Sequence, residues 1–359
     1  MGRRGVEGLQ APFQDDPRFG DGPDVDIARK VRAQRTFCLR AGVPAAAPAD
    51  YIDAMFHTVD AVSDALEAAG YLPSREIASA VFLADRLDKP ILVEGPAGVG
   101  KTELARSFAT ATGRRLIRLQ CYEGLDAAQA IYEWEYAKQL LYTQLLRDQV
   151  GQALQGARTL SEAADRIEAE GDVFFSRRFL LPRPILDAVT SADPALLLVD
   201  EIDKADPELE AFLLEVLSDY AVTIPELGTF RAGSPPRVVI TSNASRELSD
   251  ALRRRCLHLH LDFPTQAREL AIVRARAPEV TEALARQAVA VVAKLRQLDL
   301  KKAPSIAETL DWARALALLG AETLDEPVVS ETLSLVLKHE ADLEKVRPRL
   351  RDALAGAGA

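Results

Sequence analysis

The chain has 359 residues, of which 48% are hydrophobic, and a formal net charge of −10 at pH 7. That length holds two domains and a sizeable core. The acidic balance argues against a dedicated nucleic-acid binder, whose affinity comes from neutralising phosphates. No run of about 18 apolar residues occurs and no apolar stretch follows Arg3 and Arg4, so neither a membrane span nor a signal peptide is expected. Cys38, Cys121 and Cys256 are odd in number and far apart, which fits neither a disulfide framework nor a zinc site. A reducing cytoplasm is the simplest location.

Residues 1–50 are rich in Gly, Pro, Asp and Arg and end in Val43-Pro44-Ala45-Ala46-Ala47-Pro48-Ala49, the composition of a flexible N-terminal extension. Ile52, Met55, Val59, Val62 and Leu66 then share one helical face, which predicts a helix from Tyr51 to Ala69. A second amphipathic helix is expected over Glu76–Leu87, and Ile91-Leu92-Val93 reads as a buried strand. The next residues, Gly95, Pro96, Ala97, Gly98, Val99, Gly100, Lys101 and Thr102, spell G-x-x-x-x-G-K-T, the phosphate-binding P-loop. A helix-forming run, Glu103–Ala109, follows. Strand, glycine loop and helix N-terminus form an anion site, because glycine lets backbone N–H groups curl inward.

Leu116–Cys121 predicts another strand, followed by an insertion from Tyr122 to about Phe175 with helical signals and many charges. Ala195-Leu196-Leu197-Leu198-Val199 is an uninterrupted apolar run, as expected of a strand buried on both faces. Asp206 and Pro207 suit the N-cap and first turn of the helix after it. Arg237–Ser242 is a further strand. Helices alternating with these runs predict an α/β parallel sheet covered on both sides. In Cys256–Asp262, His258 and His260 fall on one face of a strand, which suits a half-exposed edge and also admits a metal pair. Cys121 reads as a core residue. After Pro264 only helical periodicity remains, broken near Pro278, Pro304 and Pro327, and Ser305 with Glu308 makes a capping box. The expected organisation is therefore an extension over 1–50, an α/β nucleotide-binding domain with N-terminal helices over 51–262, and a helical domain over 263–359.

The chemistry lies at strand ends. Lys101 is placed to reach the β- and γ-phosphates of ATP, and Thr102 to ligate Mg²⁺. Asp200 and Glu201 follow a central strand, whose carboxyl end faces the ligand crevice in open α/β sheets. Asp200 suits Mg²⁺, and Glu201 suits a general base that polarises the attacking water. Asn243 follows the next strand and can touch the γ-phosphate or simply occupy a turn. Arg253, Arg254 and Arg255 form a basic cluster that is either a solvated face or the source of an arginine finger in a neighbouring subunit's site.

These motifs in this order, followed by a helical region, resemble an AAA+ ATPase, a P-loop NTPase with an all-α lid. Val222–Thr229 resembles the inserted hairpin of the MoxR group. Leu119–Asp126 and Ser245–Cys256 resemble the CoxD-like branch encoded beside aerobic carbon monoxide dehydrogenase. The resemblance covers about residues 70–340. It implies that Gly95, Gly98, Gly100, Lys101 and Thr102 bind phosphate and Mg²⁺, that Asp200 and Glu201 are the Walker B pair, that Asn243 is the sensor, and that Arg255, with Arg254 beside it, is the finger. It further implies a homo-oligomeric ring, most often a hexamer. The implied partners are a von Willebrand A-domain protein and a metalloenzyme client of the molybdenum hydroxylase type, with no membrane or nucleic acid. One departure stands out. Many relatives carry an arginine at the start of a lid helix, whereas this chain reads Ala303-Pro304-Ser305-Ile306-Ala307, so that either Lys301 or Lys302 substitutes for it or that sensor is missing. Three other readings share the P-loop: a DNA-remodelling motor or clamp loader, a monomeric kinase, and a nucleotide-gated scaffold that barely hydrolyses ATP.

Overall fold

The computed structural model describes residues 56–145, 159, 176–225 and 227–354. The chain divides into two units, Met1–Ala54 and Met55–Ala359, and every described residue belongs to the second. The expected extension over 1–50 and Cys38 lie outside the described residues.

Five strands form the central sheet: β1 (Ile91–Glu94), β2 (Arg115–Gln120), β5 (Ala195–Asp200), β8 (Arg237–Ser242) and β9 (Leu257–His260). Their order is β2-β5-β8-β1-β9 and every pairing is parallel. The register sets Glu94 beside Ser242 and His260, and Gln120 beside Asp200. Five carboxyl ends therefore finish along one edge, where an open α/β sheet binds its ligand.

Strands β1, β5 and β8 are buried at every residue, which accounts for their near-continuous apolar sequences. Alternation along each strand sorts the side chains. Ile91, Val93, Leu196, Leu198 and Val239 pack on one face with Val62, Leu66, Ile77, Val81, Leu104 and Phe108. These come from α1 (Val59–Ala68), α2 (Arg75–Leu87) and α3 (Lys101–Ala111). Leu92, Leu197, Val199, Val238 and Ile240 face the other way, against Ile185, Leu209, Leu213 and Val216. The outer strand β2 alternates instead: Ile117 and Leu119 are buried while Arg118 and Gln120 are exposed.

The helix expected from Tyr51 begins at Val59, because Thr58 is extended and its hydroxyl accepts from the Ala61 N–H as an N-cap. Ile52 and Met55 lie outside the described residues. The described part of the Tyr122–Phe175 insertion holds α4 (Ala127–Ile131), β3 (Tyr132–Trp134) and α5 (Tyr136–Leu145). Strand β3 pairs antiparallel with β4 (Leu180–Pro182), which leads into α6 (Pro184–Thr190). Helix α7 (Pro207–Asp219) starts where Asp206 and Pro207 predict, although the Asp206 side chain makes no cap bond. The Val222–Thr229 segment is a hairpin of β6 (Ala221–Ile224) and β7 (Gly228–Arg231).

Beyond the short α8 (Asp250–Arg255) and β9, helices follow one another: α9 (Gln266–Arg276), α10 (Glu282–Leu295), α11 (Ile306–Leu318), α12 (Glu326–Val336), α13 (Glu340–Val346) and α14 (Leu350–Leu354). They enclose a core of their own around Trp312, whose indole N–H donates to the Thr332 hydroxyl at 2.8 Å. The expected capping box of Ser305 and Glu308 opens α11. Among the described residues no helix is long and apolar enough to cross a membrane.

Arg296 ties this helical region together. Its guanidinium grips Glu269 of α9 at 2.5 and 2.8 Å, reaches the Pro304 carbonyl at 2.7 Å and lies 4.6 Å from the Phe263 ring centroid. Glu269 is 0% exposed and Arg296 10%. Removing one partner strands a buried charge, so Arg296→Ala should destabilise the helical region by about 3–5 kcal/mol. Urea unfolding followed by Trp312 fluorescence in a Trp134→Phe background measures this. A loss below about 1 kcal/mol would make the pair incidental.

Candidate functional site

Strand β1 ends at Glu94 and the chain turns into the P-loop. Gly95 and Gly98 hold φ of +150° and +75°. A Cβ on Gly95 would overlap the Leu261 carbonyl oxygen, and one on Gly98 would overlap the Ser305 hydroxyl at the start of α11. Glycine is required there by backbone conformation and by close approach together. Lys101 opens α3 and folds back beneath the loop. Its ammonium donates to the carbonyls of Gly95 at 2.7 Å and Pro96 at 2.8 Å, and to Asn243 Oδ1 at 2.8 Å. Burial pulls the Lys101 pKa below its ordinary value, while the carboxylates of Asp203, Glu201 and Asp200 pull it back up.

Asp200, 2% exposed, ends β5 beside the loop. Its carboxylate accepts from Thr102 Oγ1 at 3.0 Å and from Thr241 Oγ1 at 2.6 Å. Arg118 donates to Asp200 Oδ2 through Nη2 at 2.6 Å and Nε at 3.0 Å. The next residue, Glu201, stands at φ +59°, a left-handed conformation costing about 1–3 kcal/mol for a side chain of this kind. That turn throws its carboxylate toward Asn243, whose Nδ2 donates to Glu201 Oε1 at 3.2 Å. Gln120 Nε2 and Lys204 Nζ donate to Oε2 at 3.0 and 2.6 Å.

Lys101, Thr102, Asp200, Glu201 and Asn243, read from the sequence as site residues, thus lie in one hydrogen-bonded group. Four more belong to it that the sequence reading passed over. Arg118 and Gln120 reach it because β2 borders β5. Thr241 signals itself only as a hydroxyl inside an apolar strand; it bridges the acids by also accepting from the Glu201 N–H at 2.9 Å. Asp203 fixes the Asn243 loop, accepting from the N–H groups of Asn243 at 3.1 Å and Ser245 at 3.0 Å and from the Ser245 hydroxyl at 2.6 Å.

The arginine cluster divides. Arg253 pairs with Glu94 at 2.9 Å, on a carboxylate that His258 Nε2 also meets at 2.6 Å. Arg254 and Arg255 are exposed, line neither part of their own chain's cleft, and have no side-chain partner among the described residues. Lys302 sits 3.7 Å from Glu308, and neither Lys301 nor Lys302 lines the cleft. His258 and His260 lie on the edge strand, His258 turned to Glu94. Cys121 and Cys256 are buried, and burial pushes both thiols up to about 12, which leaves them unreactive.

The cleft has two parts. One, of about 220 Å³, is lined by Lys101, Thr102, Asp200, Glu201, Thr241 and Asn243, with Ala307 from α11 closing it. The other, of about 680 Å³, runs from Gly98 and Gly100 between Tyr71, Ile77, Phe263, Ile272, Ile306 and Leu310. A polar end beside a mostly apolar slot is the general build of a small-molecule site. Thr102 and Asp200 offer hard oxygen donors from one hydroxyl and one carboxylate, the sparse set that Mg²⁺ accepts when phosphates complete its shell. Among the described residues no cluster of three or more His, Cys, Asp or Glu suits a metal.

Burial raises the Asp203 pKa, but the Ser245 and Asn243 hydrogen bonds outweigh it and hold the group below the ordinary aspartate range. A depressed folded pKa contributes stability above the unfolded pKa of about 3.9 and loses it as pH falls through the folded value. Asp203→Asn should therefore lower stability by about 1–3 kcal/mol at pH 7, with the gap to wild type closing below about pH 4. Thermal melts across pH check this; a gap independent of pH would contradict it.

Residues 90–256 match the family model described as AAA domain (dynein-related subfamily). Protein NorQ of Paracoccus denitrificans (strain Pd 1222) is 24% identical over 216 residues, covering 58% of this chain and 66% of NorQ. Gas vesicle ATPase GvpN of Ancylobacter aquaticus is 26% identical over 249 residues, covering 66% of this chain and 64% of GvpN. The chain thus spans just under two thirds of the length of these curated relatives. The solved Thermotoga maritima RuvB Holliday junction branch migration motor is 16% identical with a TM-score of 0.43, over 79% of each chain. Residues 90–256 thus resemble an AAA domain of the dynein-related subfamily, and they carry the P-loop on a parallel sheet, the fold of a P-loop NTPase.

Proposed function

We propose that this chain is a MoxR-type AAA+ ATPase that binds Mg²⁺-ATP in the cleft, hydrolyses it at subunit interfaces and uses the cycle to remodel a client. One observation carries the reading. Lys101 and Asn243, 142 positions apart, meet within hydrogen-bond distance in the same group that holds Thr102, Asp200 and Glu201. Lys101 binds the β- and γ-phosphates after leaving its loop carbonyls. Thr102 and Asp200 would hold Mg²⁺, which would supply charge neutralisation on the phosphates. Glu201 takes the proton of the attacking water, and Asn243, already on both Lys101 and Glu201, senses the γ-phosphate. The apolar slot takes the base. The ATPase wording in the name of the GvpN relative agrees with this chemistry.

The arginines support a ring. Arg253 is committed to Glu94 of its own chain, whereas Arg254 and Arg255 are exposed and line neither part of the cleft, which suits a guanidinium offered to a neighbour's site. Such contacts are heterologous and close into rings. The client is supported by the CoxD-like resemblance of residues 119–126 and 245–256 alone: a metalloenzyme of the molybdenum hydroxylase type, approached with a von Willebrand A-domain partner. A cytoplasmic setting belongs to the same reading.

Lys101→Ala should weaken ATP binding about 10- to 100-fold, the loss of a charge-assisted contact. Glu201→Gln should bind normally and turn over about 10² to 10⁴-fold more slowly. Arg255→Ala should keep its affinity and lose about 10³-fold or more in kcat. Mixing it with Glu201→Gln should restore part of the activity, since one mixed interface regains both groups. Phosphate-release and nucleotide-binding assays read all three. Wild-type turnover by Glu201→Gln would overturn the base assignment, and no recovery on mixing would overturn the finger in trans.

A further inference from the structure

We propose that Arg118 sets the threshold for metal loading: it is the resident cation on Asp200, and Mg²⁺ must displace it to load. This rests on the Mg²⁺-nucleotide reading of the cleft. The placement comes from register. Strand β2 lies outermost and pairs Gln120 with Asp200 and Arg118 with Leu198, so Arg118 starts two residues short of the acid and extends forward along the sheet edge. Its Nη2 and Nε both reach the same oxygen, Asp200 Oδ2, at 2.6 and 3.0 Å. Asp200 Oδ1 is taken by Thr241 and Thr102.

A carboxylate that is 2% exposed needs a counter-charge, since an unpaired buried ion is costly. Without a metal, Arg118 supplies it, and a guanidinium supplies it at any working pH. A divalent ion beside the same carboxylate is repelled by that guanidinium. The Arg118 side chain is 42% exposed, so it can swing into water at little cost. Its departure has a second effect. Arg118 Nη2 also donates to Gln120 Oε1, and the Gln120 amide donates to Glu201 Oε2 at 3.0 Å. Metal loading at Asp200 thereby releases one end of the amide that steadies Glu201, so the two acids of the site respond together.

The test uses the full chain and a fluorescent methylanthraniloyl-ADP, first in EDTA and then titrated with Mg²⁺, so that no turnover is needed. Arg118→Gln should bring the Mg²⁺ midpoint down about fivefold, the strength of a half-exposed ion pair. Arg118→Lys makes one contact where the guanidinium makes two, and should lower it about twofold; it also carries the test if the glutamine variant fails to fold. Binding in EDTA should stay near wild type in both variants, which a general loss of structure would not allow. An unchanged or raised midpoint in both variants overturns the inference while leaving the nucleotide site standing. Absence of binding by the wild-type chain in either condition overturns the nucleotide reading, and this inference with it.

Discussion

The hydrogen bond between the Thr102 hydroxyl and the Asp200 carboxylate, 3.0 Å long, joins two parts of the fold that meet only because the sheet is parallel. Thr102 lies in the first turn of the helix after β1, and Asp200 at the end of β5, with β8 between the two strands. A parallel sheet sends every strand out at the same edge, so the P-loop, the paired acids and the Asn243 turn arrive side by side. The buried apolar strands serve this placement. Their side chains are sorted to two cores, and apart from Arg237 at the start of β8 their polar residues gather at the carboxyl ends.

Charge is balanced internally across the group. Lys101 is met by two carbonyls and an amide oxygen, Asp200 by two hydroxyls and Arg118, Glu201 by Asn243, Gln120 and Lys204. Every buried side-chain polar atom there has a partner, as a low-dielectric site demands. On the proposed reading, phosphate would replace carbonyls on Lys101 and a metal would replace a guanidinium on Asp200. Such exchanges would couple the site to its surroundings: Gly98 lies against Ser305 of the helical region, and Glu94, one residue before the loop, holds Arg253 beside the exposed arginines.

Local motifs were legible in the sequence because their chemistry depends on neighbours in the chain. The glycines and lysine of the P-loop, the acids after an apolar run, and the Ser305–Glu308 box are spaced by backbone geometry alone. Arg118, Gln120, Thr241 and Asp203 were not legible, because each matters through strand order or a hydrogen bond across the fold. Nothing in Arg118-Leu119-Gln120 says that β2 will border β5. The three arginines looked equivalent until Glu94 was seen to hold the first. The lysines near Pro304 were natural stand-ins for a lid arginine, yet one sits beside Glu308 and neither lines the cleft, while Ser305 lies against the P-loop. The helix start was misplaced because apolar spacing extends past Thr58, whose cap decides where the helix begins.

The account stands on one arrangement: a triphosphate wrapped by residues 95–102, with its metal between Thr102 and Asp200 and its terminal group facing Glu201 and Asn243. A structure of the full chain with a non-hydrolysable ATP analogue and Mg²⁺ tests it most directly. The account predicts the phosphates on Lys101 in the smaller part of the cleft, the base in the apolar slot, and Arg118 swung off Asp200. An analogue bound elsewhere, or with its phosphates pointing away from Lys101, would contradict it.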